Sequence, residues 1–291
     1  MESSADDAPL VVIVGPTCSG KTALALQLAE KFNGEIIAAD SRTVYRGMDI
    51  GTAKASAADR ARVPHHLIDI IEPAEAFTAA DFKARATLAI DQISDRGKLP
   101  IMVGGTGLYI DSVIYDFTFR GPGDATERKR LEVLSVEALQ ELLKERNIAL
   151  PENVRNPRHL IRQLETGGVA AGRRQMRANT LIIGLATTRE RLEERIVHRV
   201  DAMLAGGLID EARSLAGRYG WECPALQTIG YQEIRSYIIG VADLQSVRTA
   251  IIRDTLAYAK RQRTWFKRNI SIHWCTQQVE VEDLITTFLS K

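Results

Sequence analysis

Cysteine is scarce in this sequence of 291 residues, and its spacing excludes two classes of site. The three cysteines, Cys18, Cys223 and Cys275, lie far apart and form no Cys-x-x-Cys pair. A zinc ribbon needs closely spaced thiols, and a disulfide-rich scaffold needs more of them. Such sparse use of cysteine is typical of a reducing compartment.

Long apolar runs are also lacking, since none approaches the roughly 20 residues that span a bilayer. Residues 1–8 are acidic and have no apolar core, which does not fit a secretory signal peptide and predicts a disordered tail. The hydrophobic fraction of 45% is that of an ordinary globular chain with a sizeable core. We therefore expect a soluble cytoplasmic monomer that has no membrane partner.

A strong net charge is lacking as well, but the total of +1 hides an uneven distribution. Residues 1–119 carry 11 Lys and Arg against 16 Asp and Glu, whereas residues 120–177 carry 12 against 8. Residues 248–268 carry 7 basic side chains against one acidic side chain. Two basic segments of this kind indicate either a polyanionic partner or solvated helix faces.

One glycine-rich stretch carries the most specific signal in the sequence. It reads Gly15-Pro16-Thr17-Cys18-Ser19-Gly20-Lys21-Thr22 and fits the pattern G-x-x-x-x-G-K-[ST] of the nucleotide-binding or ATP-binding P-loop. An apolar run over residues 10–14 precedes it and a helical pattern follows, as this loop requires. Its backbone N–H groups and the following helix start favour a di- or triphosphate. Lys21 can neutralise phosphate oxygens, and the Thr22 hydroxyl suits a Mg²⁺ ion that bridges them.

Strands and helices alternate over residues 9–117 and again from residue 180 to 291. Strands are predicted at 10–14, 35–39, 65–71, 101–103, 180–185 and 271–274, with a long loop over 42–62. This alternation predicts an α/β fold of the P-loop NTPase-like type, with a parallel sheet and helices on both faces. The longest helix is predicted from Asp243 to about Arg268, and a closing helix at 281–290.

Residues 118–179 break this pattern because they contain no strand candidate. Helical periodicity covers 125–146 and 157–165, and the prolines Pro151 and Pro157 separate the two stretches. We therefore predict a small all-helical domain that is inserted into the α/β core.

Two predicted strand ends carry polar groups beside the glycine-rich loop. Asp40 ends the second strand, and the carboxyl ends of parallel strands are where ligands bind in open α/β sheets. Its carboxylate could hold Mg²⁺, act as a general base or cap a turn. Residues 104–107, with Thr106 among three glycines, form either a ligand-binding turn or a tight strand-to-helix turn. They provide no acidic Mg²⁺ ligand of the kind a P-loop kinase uses.

Taken together, these motifs resemble one family, the tRNA dimethylallyltransferases or tRNA isopentenyltransferases. The matching strings, all in order along the chain, are Gly15–Thr22, Asp40-Ser41, Val44–Lys54, Pro64–Asp69, Gly104–Tyr109, Ile229–Tyr231, Ala259–Gln262 and Thr264–Phe266. This resemblance extends from residue 10 to residue 268 and is far more specific than a P-loop alone.

The resemblance implies a transfer reaction that composition cannot show. In this family the loop binds dimethylallyl diphosphate, and the dimethylallyl group goes to N6 of the adenosine 3′ of the anticodon, adenosine 37. Asp40 would then accept the N6 proton, Thr106 would position Asp40 or the amine, and Lys21 with Mg²⁺ near Thr22 would stabilise the departing diphosphate. The target base must leave its stack to reach such a pocket.

The resemblance also implies a surface for the tRNA anticodon stem-loop, to which the insertion would contribute. The implied tRNA-binding residues are Asp40, Ser41, Arg42, Thr43, Thr106, Arg128, Arg158, His159, Leu160, Ile161, Arg162, Gln227, Thr228, Ile229, Gly230, Tyr231, Gln232, Lys260, Arg261, Gln262, Arg263, Thr264, Trp265, Phe266 and Lys267. The sequence departs from the family pattern at Thr43, where glutamine is usual, and at Leu256-Ala257, where Arg-Gln is usual.

Three other hypotheses fit part of the sequence. Prenyl transfer to free AMP or ATP would use the same loop, but a free nucleotide has no need for a basic insertion. A small-molecule P-loop kinase would transfer the γ-phosphate of ATP instead. An NTP-dependent RNA-binding switch would keep RNA binding and have no catalysis to lose when Asp40 is changed.

Overall fold

The computed structural model describes residues 8–121, 123–169, 172 and 175–291. The chain forms two compact units: an α/β unit, with the described residues up to Ile114 and Met176–Lys291, and an insertion, Tyr115–Gln175. The sequence predicted an insertion over 118–179. The predicted tail over residues 1–8 lies outside the described residues except for Ala8, whose carbonyl accepts a hydrogen bond of 2.8 Å from Arg177.

The α/β unit is built on six parallel strands. They are β1 (Leu10–Val14), β2 (Gly34–Ala39), β3 (His65–His66), β4 (Leu99–Gly104), β5 (Thr180–Leu185) and β6 (Ile272–Cys275). Their order in the sheet is β3-β2-β4-β1-β5-β6, and every pairing is parallel. All residues of β1, β2 and β4 are buried, as expected for a parallel sheet that is covered on both faces.

Nine α-helices of the described chain belong to this unit. They are α1 (Lys21–Lys31), α2 (Ala57–Arg62), α3 (Ala79–Asp95), α4 (Gly107–Ile114), α8 (Arg189–Ala205), α9 (Leu208–Tyr219), α10 (Tyr231–Ile238), α11 (Leu244–Phe266) and α12 (Gln278–Leu289). A short 3₁₀ turn at Pro224–Leu226 precedes α10. Helices α5–α7 belong to the insertion.

The helices cover both faces of the sheet. On one face α1 and α12 pack against alternate strand side chains such as Ile13, Ile101 and Ile183. The intervening side chains point to the opposite face, where α3 packs on β2 and β4. Helices α8–α11 form a second core with residues 44–50, in which Met48 and Tyr231 are fully buried. The prediction of an α/β fold with a parallel sheet and helices on both faces is confirmed.

The insertion is a three-helix unit with a small leucine-rich core. Its helices are α5 (Ala125–Glu132), α6 (Val136–Glu145) and α7 (Pro157–Thr166). Leu131, Leu139, Leu143 and Leu160 are almost completely buried between them. The sequence predicted one continuous helical stretch over 125–146, but Ser135 caps α6 by accepting a hydrogen bond from the Ala138 N–H and so separates α5 from α6.

Two expectations for residues 42–71 are wrong. The predicted loop over 42–62 contains α2, which a capping box of Ser56 and Asp59 opens. The predicted strand over 65–71 ends after His66, because Leu67 and Asp69 adopt left-handed conformations with φ of 64° and 56°. Extended backbone cannot continue through such residues.

The helices that the structure describes include none that is both long and apolar enough to cross a bilayer.

Candidate active site

The glycine-rich loop connects β1 to α1 and forms an anion cradle. Cys18 and Gly20 have φ of 61° and 95°, which turns the backbone sharply before the helix. Helix α1 begins at Lys21, and no side chain caps it. Its first N–H groups therefore stay available as donors, at the positive end of the helix dipole.

Three cations surround this cradle, and none of them forms an ion pair with a carboxylate of the described residues. Arg195 on α8 donates to the Ser19 carbonyl at 3.1 Å, and Arg199 donates to the Thr17 hydroxyl at 2.9 Å. The Lys21 amine donates to the Pro16 carbonyl at 2.9 Å. Because these partners are neutral, the positive charge remains available to an anionic ligand.

The surroundings of Lys21 lower the pKa of its amine. Burial of its amine inside the loop lowers the pKa to about 8, the Asp40 carboxylate opposes this shift, and Arg199 adds to it. The side chain is therefore mostly protonated at neutral pH, although its charge is poorly solvated. A bound phosphate anion would satisfy that charge.

Asp40 and Thr106 occupy neighbouring strand ends, and backbone hydrogen bonds link them. Asp40 follows β2, and its Oδ1 atom accepts a hydrogen bond of 2.8 Å from the Arg42 N–H. The Thr106 hydroxyl accepts a hydrogen bond of 3.1 Å from the Ser41 N–H. The Thr106 N–H donates to the Ala39 carbonyl at 3.2 Å. Thr106 therefore fixes the backbone on both sides of Asp40.

Asp40 opens onto a cavity of about 300 Å³ within the α/β unit. Ten lining residues are among those that the sequence pointed to: Thr17, Asp40, Ser41, Arg42, Gln227, Thr228, Ile229, Gly230, Gln232 and Arg261. The others are Gly51, Thr52, Ile196, Arg199, Val200, Met203, Ile251, Thr255 and Tyr258. Burial and the charge of Asp40 raise the pKa of Tyr258 to about 12, so its hydroxyl stays protonated.

Gln262 connects the cradle to the turn that contains Thr106. Its side-chain oxygen accepts a hydrogen bond of 2.8 Å from the Thr17 N–H, and its side-chain nitrogen donates to the Gly105 carbonyl at 3.0 Å. A Cβ atom at Gly105 would collide with this amide, so only glycine admits it. Trp265, three residues further along, packs in the same way against Gly107 of this turn.

Several residues that the resemblance implied as tRNA contacts are buried instead. Tyr231, Phe266, Gln262 and Thr43 are each at least nine-tenths buried, which leaves little of their side chains for an RNA to touch. Of the other implied contacts in this segment, Arg263 is half-buried, and Arg261 lines the cavity wall. The exposed ones are Lys260, Arg261, Thr264, Trp265 and Lys267.

The implied tRNA contacts in the insertion also divide into residues that are buried or paired within the protein and residues that are exposed. Arg128 and Arg162 form ion pairs with Glu165 at 2.8 and 3.2 Å, and the Glu165 side chain is only 2% exposed. Leu160 and Ile161 lie in the leucine-rich core. Arg158 and His159 are exposed, and neither forms an ion pair within the described chain. The basic residues Arg173 and Arg174 lie outside the described residues.

Sequence reasoning missed Arg195, Arg199, Thr52 and Tyr258. The two arginines had a usable signal, because they lie four residues apart in a helix and so share one face. Thr52 lies within the matching string Val44–Lys54, which was not assigned to the site, and Tyr258 had no signal because its place in the cavity depends on tertiary packing.

A divalent cation fits this site only together with a phosphate ligand. No group of three His, Cys, Asp or Glu side chains in the described parts of the chain could hold a metal ion alone. Thr22 follows Lys21 in the first turn of α1 and is exposed. A hydroxyl there, next to diphosphate oxygens, is the oxygen-rich environment that Mg²⁺ prefers.

Comparison with known proteins gives one consistent result. A family model described as IPP transferase matches residues 43–269. The chain is similar to a tRNA dimethylallyltransferase of Anoxybacillus flavithermus, at 43% identity over 91% of this chain and 89% of the relative. It is 46% identical to tRNA dimethylallyltransferase 1 of Citrifermentans bemidjiense, over 91% of each chain.

Solved structures agree with these relatives. The crystal structure of the full-length tRNA isopentenylpyrophosphate transferase of Bacillus halodurans matches with a TM-score of 0.76 and 40% identity, over 98% of this chain and 97% of that one. A eukaryotic dimethylallyltransferase, captured acting on tRNA, matches with a TM-score of 0.74 and 25% identity over 93% of this chain and 75% of that one.

Proposed function

This chain belongs to the IPP transferase family, and from that premise we propose that it transfers a dimethylallyl group to tRNA. It is a transferase, as its relatives are. The proposed donor is dimethylallyl diphosphate, and the acceptor is N6 of adenosine 37, directly 3′ of the anticodon. The products are N6-isopentenyladenosine and diphosphate.

One observation carries this proposal: a carboxylate and an anion cradle border the same cavity. Asp40 lines the cavity together with Thr17 of the loop and with Arg199, and the charge of Asp40 acts on Lys21. A proton acceptor therefore lies beside the place where a phosphate leaving group would bind.

The reaction forms one bond and breaks another. The N6 lone pair attacks C1 of the dimethylallyl group while the bond between C1 and the diphosphate oxygen breaks. Because that lone pair is delocalised into the adenine ring, removal of the N6 proton by Asp40 strengthens the nucleophile. Negative charge develops on the departing diphosphate, where Lys21, Arg199 and the loop N–H groups stabilise it.

Thr106 acts through the backbone in this mechanism. Its hydroxyl holds the Ser41 N–H and its own N–H holds the Ala39 carbonyl, so it orients Asp40 from both sides. Mg²⁺, coordinated by Thr22 and by diphosphate oxygens, would add further charge neutralisation at the leaving group.

The acceptor base must be extruded from the anticodon loop to reach Asp40. Residues 227–230, Gln232 and Arg261 form part of the cavity wall, and the base would enter toward them. In the insertion, Arg158 and His159 are the exposed members of the implied tRNA contact, and we propose that they bind phosphates of the anticodon stem-loop. All three cysteines are free thiols, which suits action in the cytoplasm, and we expect a monomer.

Transfer of label from radiolabelled dimethylallyl diphosphate tests the proposal. Bulk tRNA should acquire label and free AMP should not. Label on AMP would indicate the related nucleotide activity, and transfer of the γ-phosphate from ATP to a small molecule would indicate a kinase. A protein that binds tRNA without transferring label would contradict the enzymatic proposal.

A further inference from the structure

Behind the cavity wall, one carboxylate accepts four hydrogen bonds. The Oε2 atom of Glu211, on α9, accepts from the N–H groups of Asp49 at 2.9 Å and Ile50 at 2.8 Å. Its Oε1 atom accepts from the Gly51 N–H at 3.0 Å and from the Tyr231 hydroxyl at 2.6 Å. Successive N–H groups that converge on one anion form a nest, and bonds to an ionised acceptor are about twice as strong as neutral ones.

These four bonds join two segments that are far apart in sequence. Gly51 and Thr52 line the cavity on one side, and the Thr52 carbonyl accepts a hydrogen bond of 3.2 Å from Arg199. Tyr231 directly follows Gly230, which lines the cavity on the other side. Glu211 is not among the lining residues, so its carboxylate acts on the wall from behind.

The contact between the two segments is close. The Tyr231 ring lies so near the backbone of Gly51 that a Cβ atom at position 51 would overlap it. Tyr231 is fully buried. Its burial and the Glu211 carboxylate both raise the pKa of the Tyr231 hydroxyl, so the hydroxyl remains a donor across the physiological range.

We propose that Glu211 is a positioning residue for the acceptor base. Its carboxylate fixes the separation between residues 49–52 and residues 227–231, and this separation sets how well an extruded base fits beside Asp40. The inference rests on the proposed function, because it takes the occupant of the cavity to be an adenine of RNA. It adds a residue that touches neither the base nor the diphosphate.

The Glu211→Gln variant tests this role with almost no change of volume. One oxygen of the nest becomes an NH₂ group, which faces donors and cannot accept from them. We expect kcat/KM for an anticodon stem-loop RNA to fall about 10- to 100-fold, mainly through KM. The Kd and the binding stoichiometry of dimethylallyl diphosphate, measured by calorimetry, should stay within about threefold of the wild type because the cradle itself is unchanged.

Asp210→Asn is the matched control. Asp210 precedes Glu211 on the same helix, is exposed, and within the described part of the chain pairs with Arg213 alone. It should therefore leave KM unchanged. If Glu211→Gln does not fold, Tyr231→Phe removes one of the four bonds and should raise KM in the same direction by a smaller factor.

Hydrogen–deuterium exchange gives a readout that does not depend on activity. The amides of residues 49–51 should be protected in the wild type and exchange at least about tenfold faster in Glu211→Gln, and residues 227–230 should also lose protection although Glu211 does not bind them.

Each outcome decides between the alternatives. A variant with a lower melting temperature and a smaller active fraction, but with an unchanged KM, would reduce Glu211 to a stabilising role and overturn the proposal. Unchanged exchange at residues 49–51 would overturn it as well. If the wild type transfers no label to RNA, the proposed function fails. If Glu211→Gln speeds exchange in residues 49–51 but not in residues 227–230, Glu211 does not hold the two segments together, and the positioning proposal is overturned.

Discussion

The arginines beside the phosphate loop of the α/β unit and the arginines around Glu165 of the insertion have different partners. In the α/β unit, Arg195 and Arg199 bond to a carbonyl and a hydroxyl of the phosphate loop, and neither pairs with a carboxylate of the described residues. In the insertion, Arg128 and Arg162 both pair with the buried carboxylate of Glu165, and Arg128 also pairs with Glu132, so two carboxylates offset their two charges. A basic segment in a sequence therefore does not predict a basic surface until the partners of its side chains are known.

This difference leads to predictions that separate charges acting on reacting groups from charges that hold the fold. The largest effect is expected for Asp40→Ala, which removes the proposed proton acceptor. The rate of label transfer to tRNA should fall at least about 10²-fold, the lower range for loss of a general base. Binding of tRNA, measured by filter retention, should be unchanged, and wild-type turnover would remove Asp40 from the mechanism.

The pH dependence of kcat/KM tests the role of the Lys21 charge, which acts on the ligand and does not hold the fold. Lys21 has a pKa of about 8 in the free protein, so it loses its charge as the pH rises through that value. We expect kcat/KM for dimethylallyl diphosphate to be constant just below pH 8 and to fall about tenfold per pH unit above it. Lys21→Arg keeps its charge at these pH values, so the decline should disappear in that variant even if its plateau is lower.

The next largest effect is expected from a change of Gln262, whose side chain connects the phosphate loop to the turn that contains Thr106. Gln262→Met keeps the volume but leaves the Thr17 N–H and the Gly105 carbonyl buried without partners. The Kd of dimethylallyl diphosphate should rise about tenfold, the loss expected for an unsatisfied buried pair. Gln245→Met, an exposed change on the same helix, is the control, and calorimetry that finds equal Kd values for both variants would contradict this role.

The smallest effects come from the insertion and compare two of its arginines. Arg128→Ala should lower the free energy of unfolding by about 1 kcal/mol, discounted for the partial exposure of Arg128, because Glu165 loses one of the two arginines that pair with it among the described residues. Arg158→Ala should leave unfolding unchanged and reduce the slope of log affinity for tRNA against log salt by about 1. The comparison fails if Arg128→Ala reduces the salt slope and Arg158→Ala lowers stability.

Sequence reasoning predicted the features whose signals are local. The phosphate loop, the strand that precedes it, and the helix opened by Asp243 all depend on residues close together in the chain. The capping pattern at Ser56 was equally local, and the helix it opens was missed because that segment lacks a buried face.

Features set by long-range packing could not be predicted in this way. Arg128 and Arg162 resembled RNA contacts until the structure placed Glu165 between them. Tyr231 and Phe266 fall within matching strings, and the structure shows that both side chains are buried. The Glu165 partner of Arg128 lies on another helix, 37 residues along the chain, and a one-dimensional pattern carries no information about that contact.

The bond between Gln262 and Thr17 has a consequence for how the protein is made. The two residues are 245 positions apart, yet the side chain of Gln262 holds the Thr17 N–H in place. A nascent polypeptide leaves the ribosome with its phosphate loop first, and domains fold as they emerge. The loop nevertheless stays unfinished until Gln262 has been synthesised, so fragments that terminate before this residue should not compete for the prenyl donor.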